Sequence, residues 1–446
     1  MAQLKDKVLR MHLLVSFMQT VKTKIRMLLS WLPKSNIGKK INLEELPEIQ
    51  FNVDKDANEL KELVSIYDSQ YFLANIAILA SMQANPRINL PPFNGFSSPF
   101  RQLAHLGALN VTSNAELISK KEVDEKNNDW KDIVVQAIKV RAAYYGEMMP
   151  KEGEVSDEYY DLYKISVPVF DSHFDTSTVN FEEQEINKVT DLFTPFNSVI
   201  ESISGLKVED FTGIYNVIDY TLSERMKESY NLLVRSLTVK EELLKHNGAP
   251  PSTWDYKGDD PDVLRLVEYH TDPRIKYTPD MCVLERHISP KKLEIFFDLF
   301  TIKRGEKPSY KYYTEINPLL LKPIYKYSPN KYLIVFQKHL IHSIFRFLYD
   351  LVTNSDRQEK FFIHRGKWLQ NKTVELLKFY FGKQARAFNE YKVDGQGQDV
   401  LLLTKDLALI IENKAHNEVK FSGVPNVKVI FEQYLARFKK FNSKRI

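Results

Sequence analysis

A single cysteine, Cys282, stands in 446 residues. One thiol closes no internal disulfide, and without companion ligands it makes a poor structural zinc site, so an intracellular, cytoplasmic setting is expected. Long hydrophobic runs are missing too. The longest apolar stretch, YFLANIAILASM at 71–82, is too short to cross a bilayer and predicts a buried helix. There is no Walker phosphate loop and no GxSxG elbow, so neither ATP-driven nor serine-hydrolase chemistry finds support. Internal repeats and low-complexity tracts are absent as well. What remains is 43% hydrophobic and 27% charged, the balance of a folded chain long enough for two or three domains.

Charge is unevenly spread. From Lys360 to the end there are 17 Lys and Arg against 8 Asp and Glu, a net +9, which leaves the preceding 359 residues at −5. A basic unit beside a mildly acidic one suits a polyanionic partner, although a merely solvated basic surface has the same composition. The first segment, 1–45, mixes Lys and Arg with aliphatics and Trp31. It reads as an amphipathic helix docked on its own domain, with a membrane surface, a targeting role or a partner helix as alternatives. Asp6 and the lack of a small-residue cleavage site argue against secretion.

Periodicity divides the chain. Segments 57–83, 131–149, 181–204 and 208–236 carry apolar residues at helical spacing, which predicts a helical domain over 46–246 whose partner the sequence does not identify. The stretch 246–262, HNGAPPSTWDYKGDDPD, is rich in helix-stopping residues and predicts an internal boundary. A mixed α/β segment follows over 263–352, with a hairpin near 323–336 turning at Ser-Pro-Asn-Lys. The basic tail, 360–446, alternates element types. It predicts a helix at 367–381, strands at 384–393, DVLLLT and LALIIENKA, and a final helix at 427–441. The fold class expected is therefore α+β and multidomain.

The tail seats charges on strands built for burial. If DVLLLT and LALIIENKA pair across Lys405 and Asp406, opposed residues keep a number sum of 811, and Asp399 faces Glu412. Period-two alternation puts Lys414 on the face of Glu412. Two carboxylates opposed at roughly 5 Å repel and destabilise the ladder unless something compensates. Mg²⁺, or Mn²⁺ in its place, does so with oxygen ligands, and Lys414 then stands ready for a phosphate oxygen or a metal-bound water.

An Asp, a short gap, then Glu-x-Lys on the next strand after a Glu-bearing helix resembles the PD-(D/E)XK nuclease superfamily, which includes restriction endonucleases and Holliday-junction resolvases. The resemblance covers about 360–446 and implies a restriction-endonuclease-like α/β domain that hydrolyses phosphodiester bonds in DNA. It also implies roles: Asp399 and Glu412 as metal ligands, Asn413 through its backbone carbonyl, Lys414 serving the nucleophilic water, Glu375 as an accessory acid, and Gln433 as a helix-borne functional glutamine. His416 and Lys420 stand beside the motif as further candidates for nucleic-acid contact. Gln398 replaces the proline of the family name, and the family's further strand after the second helix has no counterpart before Ile446.

The rival reading is a binding protein, either a nuclease fold that grips DNA or RNA without cutting or a helical interaction module with a degenerate tail. RNA is an alternative substrate. Asp171, His173 and Asp175 alternate as metal ligands would, but without a fourth ligand they read as a solvated loop. His339 and His342 read as packing or surface residues, and the many Tyr and Phe as core rather than a base-stacking platform.

Overall fold

The computed structural model describes residues 52–83, 99–123, 129–147, 182–249, 251–393 and 396–411. The segment 1–45, the Asp171–His173–Asp175 alternation and the helix expected at 427–441 lie outside these residues.

Four helices open the described chain: α1 (Val53–Ser65), α2 (Ser69–Gln83), α3 (Pro99–Val111) and α4 (Asp129–Glu147). Asn52 caps α1, its side chain accepting from the Lys55 amide at 2.9 Å while Asp56 reaches back to the Asn52 amide at 3.3 Å. Val53, Ala57, Leu60 and Val64 repeat at helical spacing and are all buried. Their stripe meets Phe72, Leu73 and Ile76 of α2, Leu103 and Leu106 of α3, and Ile133 and Val140 of α4 in a first core. The single apolar run at 57–83 thus forms two helices, with Tyr67 and Asp68 making the bend between them.

A second layer follows: α5 (Glu182–Phe193), α6 (Asn197–Ser204), α7 (Val208–Arg235), α8 (Leu237–Lys245), α9 (Pro261–Thr271), α10 (Met281–His287) and α11 (Pro290–Phe300). Their boundaries follow local chemistry. Gly205, at φ 77°, ends α6 in the left-handed conformation that a side chain resists. Asp260 caps α9 ahead of Pro261, and Asp280 caps α10.

A small sheet divides the two layers. β1 (Thr301–Ile302) runs parallel to β2 (Ile324–Ser328), which turns back through Asn330, at φ 54°, into antiparallel β3 (Lys331–Ile334). The short helix α12 (Pro318–Leu321) intervenes before β2. Neighbouring residues of β3 point to opposite sides: Leu333 enters the first core, and Ile334 joins a second core with Ile324, Phe193, Phe211 and Phe296. This second core draws on residues from both sides of the polar stretch 246–262, so the chain packs across the point where its composition changes.

Arg304, just past β1, ties the layers together. Its guanidinium donates to the carbonyl oxygens of Ser65 at 2.5 Å and Tyr67 at 2.8 Å and to Ser69 Oγ at 2.7 Å, satisfying carbonyls at the end of α1.

The last described elements are α13 (Leu340–Thr353), α14 (Gln358–Phe381) and a three-stranded antiparallel meander, β4 (Ala385–Val393), β5 (Gln396–Thr404) and β6 (Ala408–Ile411). The class is α+β, dominated by helices with a small antiparallel sheet near the C-terminus. No helix among the described residues is long and apolar enough to cross a membrane.

Candidate functional site

α14 begins nine residues before the helix expected from periodicity, at Gln358 rather than 367. In its first turns Phe362 and Ile363 are exposed and one side chain anchors the helix: Phe361 is fully buried in the second core, stacked on Phe193 with centroids 5.4 Å apart. Asp191 of α5 adds a polar fastening. It accepts from Trp368 Nε1 at 3.2 Å and lies 3.5 Å from Lys372 Nζ, while its carbonyl meets His364 Nε2 at 3.1 Å. The helix therefore leaves the helical layers rigidly and carries its second half onto the meander.

That second half reaches the strands through polar side chains. Gln370 Nε2 donates to Asp399 Oδ1 at 3.1 Å, and Asn389 Nδ2 of β4 donates to Asn371 Oδ1 at 3.0 Å. Val374 is buried between them. Asp399, half-buried on β5, precedes Val400, Leu401 and Leu402, all of them buried, so the strand is aimed by its apolar run.

The hairpin keeps the register that alternation predicts. Val400 faces Ile411, Leu401 faces Ile410, Leu402 faces Leu409 and Leu403 faces Ala408, each pair summing to 811. The Thr404 amide closes the turn onto the Leu407 carbonyl at 2.8 Å, leaving Lys405 and Asp406 as a two-residue loop. Glu412, Asn413, Lys414, His416, Lys420 and Gln433 lie outside the described residues.

Glu375, the expected accessory acid, lies on a different side of α14 from Gln370. Five residues after Gln370, it is turned about 140° around the helix from the position that meets Asp399. Its carboxylate is exposed and holds Lys372 at 3.0 Å, on the side that meets Asp191. Its hydrogen bond to Lys372 also raises that ammonium's pKa. The helix residue in contact with Asp399 is Gln370, which the motif did not single out; its helical offset from Val374 is the sequence signal that could have found it.

Asp399 suits Mg²⁺ or Mn²⁺ in one respect: its carboxylate oxygens are held at the helix–sheet junction, hard oxygen donors of the kind such ions take. It is the only member of the expected ligand set among the described residues, and within those residues no group of three or more His, Cys, Asp or Glu side chains is arranged to hold a metal.

Other clusters are structural. His105, fully buried, meets the Tyr310 hydroxyl through Nδ1 at 2.8 Å and stacks on Tyr313 with centroids 3.6 Å apart; burial lowers its pKa to about 3. His339 is likewise held at about 3 by burial and by its neighbour His342, which itself faces Glu185 at 3.7 Å. A groove of about 630 Å³ between α7, α9 and α10 is lined by Arg225, Arg235 and Arg265 alongside Glu224, Glu228, Asp262 and Asp280. These charges largely offset one another, so the groove has no sign to offer a ligand.

No family model, curated protein or solved structure matches the chain.

Proposed function

We propose that the chain is a metal-dependent nuclease that hydrolyses phosphodiester bonds, with DNA as its substrate. The observation that carries this reading is the β5–β6 register: the 811 ladder runs through Val400 and Ile411, the same register on which the sequence alone pairs Asp399 with Glu412. Support also comes from the order helix, three antiparallel strands, from a half-buried Asp399 fixed by Gln370, and from the net +9 of the tail.

In this mechanism Asp399, Glu412 and the Asn413 carbonyl would hold Mg²⁺ or Mn²⁺, which would supply polarisation of the scissile phosphate and a water of lowered pKa. Lys414 stabilises the negative charge that develops on the phosphate and steadies the attacking water. Gln370 restrains Asp399, which lessens the reorganisation needed at the moment of reaction. Basic side chains of the tail, Lys420 among them, with His416 and Gln433, contact the nucleic acid, so affinity falls steeply with salt.

The test is incubation of the full chain and its Lys414→Ala variant with supercoiled plasmid, linear DNA and RNA, in Mg²⁺, Mn²⁺ or EDTA. The reading expects cleavage of DNA that needs metal and vanishes in the variant. A folded wild-type chain inert on all three substrates would leave a non-cutting nucleic-acid binder as the better account.

A further inference from the structure

The end of α14 and its turn into β4 leave aromatic rings in solvent. Phe379 is 80% and Tyr380 76% exposed, and Phe381 and Phe388 are exposed with them. Rings of this size normally bury their faces, and three consecutive exposed ones closing a helix form a patch rather than scattered single residues. Phe379 and Tyr380 meet edge to face, centroids 5.3 Å apart and planes at 82°, a contact that leaves a ring face of each uncovered by the other. Gly382, at φ 53°, turns the chain beside them, and a side chain built there would meet nothing within 4 Å.

Cations outnumber anions around the rings: Glu375, one turn before Phe379, is taken up by Lys372. Between Leu376 and Asn389 the sequence carries Lys378, Lys383 and Arg386 and no Asp or Glu. All three cations are exposed, and among the described residues no ion pair engages them, whereas Lys372, one and a half turns back, is held by Glu375 and Asp191. Strand alternation sets Arg386 and Phe388 on one face of the meander, opposite Leu403 and Leu401.

We infer that this aromatic and cationic end of α14 and β4 binds single-stranded nucleic acid, with the rings stacking on unpaired bases and Lys378, Lys383 and Arg386 tracking the phosphates. A duplex keeps its base faces stacked internally and offers such rings nothing. A bilayer surface takes a long continuous apolar helix face, and the exposed rings at this end of α14 are confined to its last turn, with Leu376 the one large aliphatic side chain exposed in this stretch. The inference rests on the nucleic-acid reading of the C-terminal unit and gives its substrate class, but it does not depend on the metal site.

The test uses the full chain in EDTA, so that binding is read without cleavage. Fluorescence anisotropy follows a labelled 20-nucleotide oligothymidylate, the matching oligouridylate, the same thymidylate annealed to its complement, and vesicles of mixed neutral and anionic phospholipid. The two single strands distinguish DNA from RNA, and either one bound supports the inference. Single strands are expected to bind at least tenfold more tightly than duplex. A Phe379→Ala/Tyr380→Ala variant should lose about tenfold to a hundredfold in affinity with an unchanged salt slope. Lys383→Ala/Arg386→Ala should lower that slope by about 1.4, and Phe379→Tyr/Tyr380→Phe should keep wild-type binding. Wild-type affinity in the double alanine variant, equal or tighter binding of duplex, or binding confined to vesicles would overturn the inference. Tight single-strand binding by a chain that never cleaves leaves the inference standing and refutes the nuclease; metal-dependent cleavage with unchanged binding in the alanine variant does the reverse.

Discussion

Gln370 of α14 and Asp399 of β5 join side chain to side chain at 3.1 Å, a hydrogen bond across the junction between the last long helix and the C-terminal meander. The amide is a neutral donor, so it restrains a carboxylate without cancelling its charge, which suits a ligand better than an ion pair would.

Replacing Gln370 with Ala removes that restraint. The expected outcome is a metal concentration for half-maximal cleavage raised about tenfold, with a near-normal melting temperature because the site is half-exposed. Metal titration of the cleavage rate checks it; an unchanged midpoint would separate Gln370 from the site.

Two imidazoles, buried His105 and half-buried His339, set an acid limit. His105 and His339 have folded pKa values near 3 against 6.5 when unfolded, so below pH 6.5 the unfolded chain binds protons that the native state refuses. Their contribution is complete above pH 6.5 and is lost as pH falls toward 3. At pH 5 the pair should cost about 4 kcal/mol, read as a falling denaturant midpoint.

Glu182 acts in the opposite sense. It accepts from the Tyr215 hydroxyl, and burial followed by the neighbouring Asp219 raises its pKa. A carboxyl raised in the folded state stabilises most below its unfolded value of 4.5, and that contribution fades as pH rises through the folded value. Glu182→Gln removes the charge and should raise the melting temperature at pH 8 by about 1–2 °C while changing little at pH 4. A lower melting temperature at pH 8 would show that the charge is needed.

Arg304 joins segments far apart in sequence. Arg304→Ala leaves the carbonyls of Ser65 and Tyr67 without their charged donor and should cost about 3 kcal/mol in chemical denaturation, whereas Arg304→Lys, unable to fork, should recover less than half of it.

Local elements were legible where one interaction dominates. The β5–β6 register was readable because alternation and a two-residue loop leave a hairpin little freedom, and four pairs hold it. The start of α14 was not, since Phe361, Phe362 and Ile363 are consecutive rather than spaced at helical period, and the burial of Phe361 depends on Phe193 more than a hundred residues earlier. Nor was the exposure of Phe379 and Tyr380: composition counts aromatic rings but cannot say which ones the fold leaves uncovered. The contact from Gln370 to Asp399 depends on how helix and sheet dock, which neither periodicity expresses.

The central claim is that Asp399 and Glu412 share a metal. Calorimetric titration of Mn²⁺ into the wild-type chain and its Asp399→Asn, Glu412→Gln and Lys414→Ala variants tests it without reference to cleavage. One site in the wild type and in Lys414→Ala, lost in both carboxylate variants, is the predicted result. No binding by the folded wild type, or equal binding by all four proteins, would contradict it.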